Sequence, residues 1–323
     1  MLKLLKIIGG VIVLGVLTIL VVSFTMPTPK AEKETEPVAT STPIVATTTP
    51  VVVVPPVVVT PPIVVSTPSI SILPTHIIQG DPVMVTFGEV PAEVVYKGKK
   101  VPTFKYEVKT RILLPVDFTE KPASNILKVT WGNGATSSKV IVVNERPKIE
   151  APLGIPEKLG GNTPAGEQNV VSNLAKENAE LAQVTTENKI LWDEAFRFPL
   201  AAVTVTDNYG YNRATGQSTI VHKGTDLRAP KGTEVYAMND GVVRISKLFT
   251  IYGNTIVIDH GLGVNTFYMH LSRRDVKDGD TVKKGQLIGL SGDTGYAESP
   301  HLHMTIRINN VSIDPMQFME FFK

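Results

Sequence analysis

The 323-residue sequence predicts a mainly β chain: an N-terminal membrane helix, a Pro-rich linker, a β-sandwich, a connecting helix and a C-terminal antiparallel β domain. Three observations carry this. Apolar residues alternate with period two in short runs over two separate stretches of the chain. Ten of the 24 prolines lie between Pro27 and Pro68, and five of the six histidines lie between His222 and His303. The net charge of only +2 excludes a strongly basic nucleic-acid binder, and 42% apolar residues exclude a wholly disordered chain. With no cysteine there is no disulfide framework, no thiolate nucleophile and no Cys-based metal site, so any metal must sit on His, Asp or Glu.

Residues 1–26 read as a signal anchor. After Lys3 and Lys6, Ile7 to Phe24 is apolar apart from Thr18 and Ser23, and as a helix it would reach about 27 Å of a hydrocarbon core of about 30 Å, so it can just span. The exit Val22-Ser23-Phe24-Thr25-Met26-Pro27 has no small-x-small cleavage pattern. That favours an uncleaved anchor over secretion after signal cleavage. The lysines on the short side leave the N-terminus in the cytoplasm and the remaining domains outside, held at the cytoplasmic membrane by a single pass. Residues 27–68 are a Pro/Thr/Val-rich linker without charge between Glu36 and Asp81; its prolines break the Val51–Val54 and Val57–Val59 runs and favour an extended polyproline-II spacer.

Residues 69–147 carry the alternating runs Val83/Val85/Phe87, Val94/Tyr96, Phe104/Tyr106, Ile112/Leu114, Leu127/Val129/Trp131 and Val140/Val142. Turns at Lys97-Gly98-Lys99 and Trp131-Gly132-Asn133-Gly134 join strands of a sandwich of immunoglobulin-like type. His76 stands alone at its edge, which is a structural position and not a site. Residues 148–195 begin as a loop, and Thr163-Pro164 supplies an N-cap and a first-turn proline for a helix running to about Glu194. Val170, Leu174, Leu181 and Val184 fall on one face and predict packing on a neighbouring domain. A coiled-coil dimer is the alternative, weakened by a short seam that Asn178 interrupts.

Residues 196–323 are Gly-punctuated and β-rich, with strands over Val235–Ala237, Gly241–Val243, Thr255–Ile258, Thr266–Met269, Leu287–Leu290 and Leu302–Ile306. His301-Leu302-His303 opens a strand, so two imidazoles project to one face. His222-Lys223-Gly224-Thr225-Asp226 places an imidazole and a carboxylate four apart on a bent loop entering a strand. Alternation along Thr266-Phe267-Tyr268-Met269-His270 predicts Thr266, Tyr268 and His270 together on one face. A His/His/Asp set with an open fourth position is the donor chemistry of catalytic zinc.

These stretches resemble the lysostaphin-type zinc metallopeptidases, the glycyl-glycine endopeptidase family of cell-wall hydrolases. The match runs from about Tyr209 to Phe321 through Asn212-Arg213, HKGTDLRAPKGTEVYAMNDGVV, YGNTIVIDHGLG, TFYMHLS, VKDGDTVKKGQLIGLSGDTG, SPHLH and Ile313-Asp314-Pro315. The order of sandwich, helix and Phe196–Pro199 also resembles members with an immunoglobulin-like N-terminal module. The resemblance implies one Zn2+ per chain on His222, Asp226 and His303, with His270 and His301 as catalytic histidines. It implies hydrolysis of peptide cross-links of peptidoglycan, in stem peptides or cross-bridges, by a metal-activated water. No His-Glu-x-x-His occurs, so a Glu-base scheme of that kind is excluded. His260 reads as structural or cleft-lining, and Lys247–Tyr252 and Gly295–Ser299 as loops shaping specificity. Ser299 and Met304-Thr305 depart from the family pattern. Some relatives have lost ligands and act as non-catalytic wall-binding or hydrolase-activating scaffolds; here all five positions are filled.

Overall fold

The computed structural model describes residues 67–215 and 217–323. The expected membrane helix, and the linker up to residue 66, lie outside the described residues. Two sheets make the sandwich. One has the order Ile70–Leu73, Pro82–Phe87, Lys109–Pro115, Phe104–Tyr106; the other runs Ile77–Ile78, Thr136–Asn144, Ala123–Trp131, Pro91–Tyr96, Lys99–Lys100. Pairing is antiparallel except between Ile77–Ile78 and Thr136–Asn144. Most of the alternating residues meet between the sheets: Val83, Val85, Phe87, Ile112 and Leu114 face Val94, Leu127, Val129 and Trp131. Val140 and Val142, expected inside, are exposed: Leu127 and Val129 pair with Lys139 and Ser137, so the odd-numbered residues of Thr136–Asn144 turn inward and Ile141 and Val143 fill the core instead. The Trp131 indole closes this core edge-on to Phe87 at 6.2 Å and donates its N–H to Ser137 Oγ at 2.8 Å, so its polar atom is not stranded. Lys97 and Gly98 both have positive φ, the conformation that a two-residue hairpin turn requires.

The other face of the first sheet is not solvated. Met84, Leu113, Phe104 and Tyr106 join Trp192, Phe196 and Phe322 in the core of the C-terminal domain. Trp192 sits 5.4 Å from both Phe104 and Tyr106 and 5.6 Å from Phe322. The junction is also ionic, because Arg146 reaches Asp81 at 2.9 Å and Asp314 at 3.3 Å.

The C-terminal domain is built on an antiparallel sheet in the order Val205–Asp207, Thr225–Arg228, His301–Ile308, Val264–Leu271, Asn254–Asp259, Gly241–Leu248, Thr281–Val282. A smaller sheet of Glu234–Tyr236, Leu287–Leu290 and Arg273–Arg274 backs it, and a hairpin of Asn212–Thr215 and Ser218–Val221 stands at its edge. Leu302, Met304 and Ile306 point into the domain core with Tyr268. Their neighbours His301, His303, Thr305 and Arg307 take the opposite face.

The connecting helix spans Pro164–Leu181, capped by Thr163 Oγ1, which accepts from the Gly166 N–H. It ends well before the predicted Glu194. The cause is tertiary: Arg307 donates to Leu181 O at 3.0 Å and Asn310 to Ala182 O at 2.7 Å, while the buried Asp259 holds Thr186 Oγ1 and the Glu187 N–H. These contacts draw the chain away from the helix axis, and no sequence-local signal reports them. The apolar face packs as expected, with Val170 against Ile155, Leu159 and Ile251, and Leu181 against Phe249, Val257, Phe267 and Met269. That face is therefore covered within the chain, against the coiled-coil alternative.

Candidate metal centre

Asp226 and His303 are cross-strand partners in the central sheet, which places both side chains on one face. His222 follows the edge hairpin and is fixed by its own N–H on Tyr211 O at 2.8 Å. The result is a compact trio. His222 Nε2 lies 3.1 Å from Asp226 Oδ1 and 3.0 Å from His303 Nδ1, and His303 Nδ1 lies 2.8 Å from the same Oδ1. Among the described residues this trio forms a buried set of ligand atoms, all within 4.8 Å of one another.

The outer nitrogens decide the protonation. His222 Nδ1 faces Asn208 O at 2.8 Å, and a carbonyl can only accept, so Nδ1 carries the proton and Nε2 keeps its lone pair. His303 Nε2 faces Thr305 Oγ1 at 2.9 Å, and that hydroxyl gives its own proton to Lys223 O at 3.1 Å. His303 Nε2 must then donate, which leaves the lone pair on Nδ1. In the neutral rings, two imidazole lone pairs and a carboxylate oxygen therefore converge with no hydrogen among them. Such a cradle fits a cation. Burial lowers His303 to about 4, so a proton is a poor occupant at neutral pH. Burial also opposes ionisation of Asp226, yet a proton carried by His222 or His303 toward Oδ1 holds the carboxyl well below the usual range; with both rings neutral, a cation in the cradle takes that part.

Arg213 fixes the remaining oxygen. Its Nη2 donates to both Asp226 Oδ2 and Asp207 Oδ2, and its Nε donates to Asp207 Oδ2 at 3.0 Å. Oδ1 alone is left to the imidazoles. Gly224 makes room on the other side, since a Cβ there would lie 2.4 Å from His303 Nε2 and 2.6 Å from Thr305 Oγ1.

His270 and His301 stand beside the trio. Their ring centroids are 4.9 Å apart, His270 is 5.8 Å from His303, and His301 Nε2 is 3.7 Å from Asp226 Oδ1. His270 Nδ1 faces Thr294 O and His301 Nδ1 faces Ser299 O, both at 2.8 Å, so in each neutral ring Nε2 is the basic atom. Burial, with His301 and His303 nearby, pushes His270 well below the usual histidine range.

One expectation is overturned here: Thr266, Tyr268 and His270 do not share a face. Met269 and Phe267 are the cross-strand partners of His303 and Thr305, so alternation would turn His270 away from the site. Instead its φ is +61°, and the register against Asn254–Asp259 shifts in the same stretch. The left-handed residue flips His270 onto the site face while Thr266 and Tyr268 stay in the core. His260 is fully buried between Asp240 O at 2.7 Å and Thr266 Oγ1 at 2.8 Å, under the edge of Phe196, and is structural instead of cleft-lining. His76 is exposed and distant in sequence from every residue of the trio.

Sequence reasoning assigned no role to Arg213, Asp207, Gly224 or Thr305. Arg213 carried a signal, lying in a matching stretch, but its partner depends on the Asp207–Asp226 register at a bulged edge strand. A cavity of about 550 Å³ opens over the trio, lined by His222, His270 and His303 below and by Val171, Leu174 and Asn178 of the connecting helix above.

Residues 220–315 match the family model described as Peptidase family M23. The chain is similar to Peptidoglycan DD-endopeptidase ShyC of Vibrio cholerae serotype O1, 42% identical over 122 residues, covering 37% of this chain and 28% of that protein. It is also similar to DD-carboxypeptidase/endopeptidase Mpg of Neisseria meningitidis serogroup B, 38% identical over 119 residues, covering 36% of this chain and 27% of that protein. The chain thus spans less than a third of the length of these curated relatives. A crystal structure of a putative peptidase M23 from Pseudomonas aeruginosa shares the fold, with a TM-score of 0.55, 24% identity, and coverage of 75% of this chain and 94% of that one.

Proposed function

We propose, from the match of residues 220–315 to the model of peptidase family M23, that the protein is a zinc-dependent endopeptidase hydrolysing peptide cross-links of peptidoglycan. The observation that carries this reading is the convergence of three unprotonated donors, His222 Nε2, His303 Nδ1 and Asp226 Oδ1, beside two further imidazoles with free Nε2 atoms. Nitrogen and oxygen donors with an open fourth position suit catalytic zinc. Zinc held there supplies Lewis acidity toward the scissile carbonyl and a water acidic near neutral pH.

The chain's own residues do the rest. His222, Asp226 and His303 hold the metal, and Arg213 keeps Asp226 in a one-oxygen pose. His270, neutral at working pH, takes a proton on Nε2 from the attacking water. His301, the less buried of the two, steadies the oxyanion or hands a proton to the leaving amine when its Nε2 carries one, and the proton that His270 takes from the water is the other source for that amine; the two imidazoles can exchange these duties at their 4.9 Å spacing. The complete donor set argues against a ligand-less scaffold. We further propose that residues 1–26 anchor the chain in the cytoplasmic membrane, that residues 27–68 carry the remaining domains outward, and that the sandwich is an immunoglobulin-like spacer or binding module.

The test uses the full chain. It should bind about one zinc and release new amino termini from purified peptidoglycan, an activity that a chelator abolishes and zinc restores. Full zinc loading with no cleavage of walls of any cross-link type would refute the endopeptidase reading and favour a wall-binding role.

A further inference from the structure

The ladder between Thr225–Arg228 and His301–Ile308 carries one more rung than the metal centre uses. Leu227 pairs with Leu302 and both point into the core, so the rungs on either side, Asp226 with His303 and Arg228 with His301, share the face of the metal centre. Directly opposed residues stand about 5 Å apart at Cβ, which makes Arg228 the immediate neighbour of His301, whose Nε2 lies 3.7 Å from Asp226 Oδ1. The Arg228 backbone is held on both edges, by the His301 strand and by its N–H on Thr204 O at 2.9 Å. Its side chain is exposed, and among the described residues no hydrogen bond, carboxylate or aromatic ring engages the guanidinium. Every other arginine of residues 196–323 has a partner. Arg213, Arg244 and Arg273 are held by carboxylates, and Arg197, Arg274 and Arg307 by backbone or side-chain oxygens.

A guanidinium is planar and meets a carboxylate through two parallel N–H bonds. Stem peptides carry carboxylates, on side chains and at chain ends. The buried arginine of the metal centre, Arg213, is spent on Asp207 and Asp226 and cannot turn to a substrate. The loop Lys247–Tyr252, expected to shape specificity, is also committed: it gives the N–H groups of Thr250, Ile251 and Tyr252 to Glu177 of the connecting helix. We propose that Arg228 is a specificity-determining residue that binds a carboxylate of the wall peptide close to the scissile bond. This rests on the endopeptidase reading above. Because Arg228 and His301 occupy one rung, a carboxylate seated on the guanidinium fixes how the peptide lies against His301, from a rigid strand and not from a loop. The contact forms when the peptide binds and persists through the reaction, so it acts on KM more than on kcat.

Three soluble cross-link peptides test this on the zinc-loaded full chain: one with every carboxylate free, one with its side-chain carboxylates converted to carboxamides, and one with only its terminal carboxylate so converted. The parent should cut the free peptide with a kcat/KM about tenfold or more above that for an amidated one, the difference lying in KM. Whichever conversion costs the rate identifies the bound group as side chain or chain end. The preference should vanish in Arg228→Ala, survive in part in Arg228→Lys, and turn toward the amidated peptide in Arg228→Glu. A residue that merely supports the strand would lower the rate on all three peptides together and leave their ratios unchanged. Parental ratios in Arg228→Ala, or a parent without preference, overturn the subsite, while the cleavage itself upholds the endopeptidase. Should Arg228→Ala not fold, the ratios in Arg228→Lys and Arg228→Glu decide. If the zinc-loaded parent cuts neither these peptides nor sacculi, the endopeptidase reading fails, and the subsite with it.

Discussion

Asp226 and His303 occupy one rung of the antiparallel ladder, with Oδ1 and Nδ1 2.8 Å apart. A contact set by strand pairing does not depend on loop order, so the metal cradle is rigid before any ion arrives. The division between holding the metal and moving protons follows. His303→Ala should lower zinc affinity by about 100-fold or more, whereas His301→Ala should keep near-normal zinc content and lose about 100-fold or more in kcat. Zinc content by mass spectrometry beside wall-digestion rates checks both, and a reversed pattern would reassign the roles.

Arg213 should act on the metal through Asp226. Freed of its guanidinium, the carboxylate can rotate or bind through both oxygens. Arg213→Ala should weaken zinc binding about 10- to 100-fold, and Arg213→Lys, a point charge lacking the fork, should recover only part of the loss. Competition with a chromogenic chelator measures this without recourse to activity; unchanged affinity in both variants would leave Arg213 a merely structural ion pair.

Gly224→Ala should break the cradle from outside. The added methyl would collide with His303 Nε2 and Thr305 Oγ1, so His303 loses the acceptor that fixes its tautomer. Zinc affinity should fall about tenfold or more with the circular dichroism spectrum preserved. A variant with parental affinity would show that the site relaxes around a methyl group.

The junction between the sandwich and the C-terminal domain has its own pH dependence. Burial raises Asp81 from 3.8 to about 6 against the pull of the Ile78 N–H and Arg146, and burial raises Asp314 as well. The folded chain therefore holds the Asp81 proton more tightly than the unfolded chain. The stabilisation from this group is full below about pH 4 and lost as pH rises through about 6, a difference of about 3 kcal/mol at most. The melting temperature of the parent minus that of Asp81→Asn should fall between pH 4 and 6.5. A difference that stays flat or rises would show that Arg146 dominates Asp81 instead.

Much of this architecture is legible in the sequence, and what is not has a common cause. Alternation such as Val83/Val85/Phe87 is local, so the sandwich strands can be read directly. His301-Leu302-His303 is equally local, since period two alone puts both imidazoles on one face. The facing of His270 is not, because a single left-handed residue reverses the alternation that predicts it. The end of the connecting helix is illegible for another reason: Arg307, Asn310 and Asp259, more than 70 residues away, decide it. The same holds for the pairing of Arg213 with Asp226 and for the seating of Glu177 on residues 250–252. Each is a tertiary contact that leaves no periodic trace in the chain.

The aromatic seam in which Trp192 touches Phe104, Tyr106 and Phe322 has a mechanical meaning. A swivelling module would need a polar, replaceable seam, and this one is a shared hydrophobic core locked by Arg146. The sandwich is therefore a rigid handle. Whatever grips it turns the cleft by the same angle, so the bearing of the metal cradle is set where the sandwich is held.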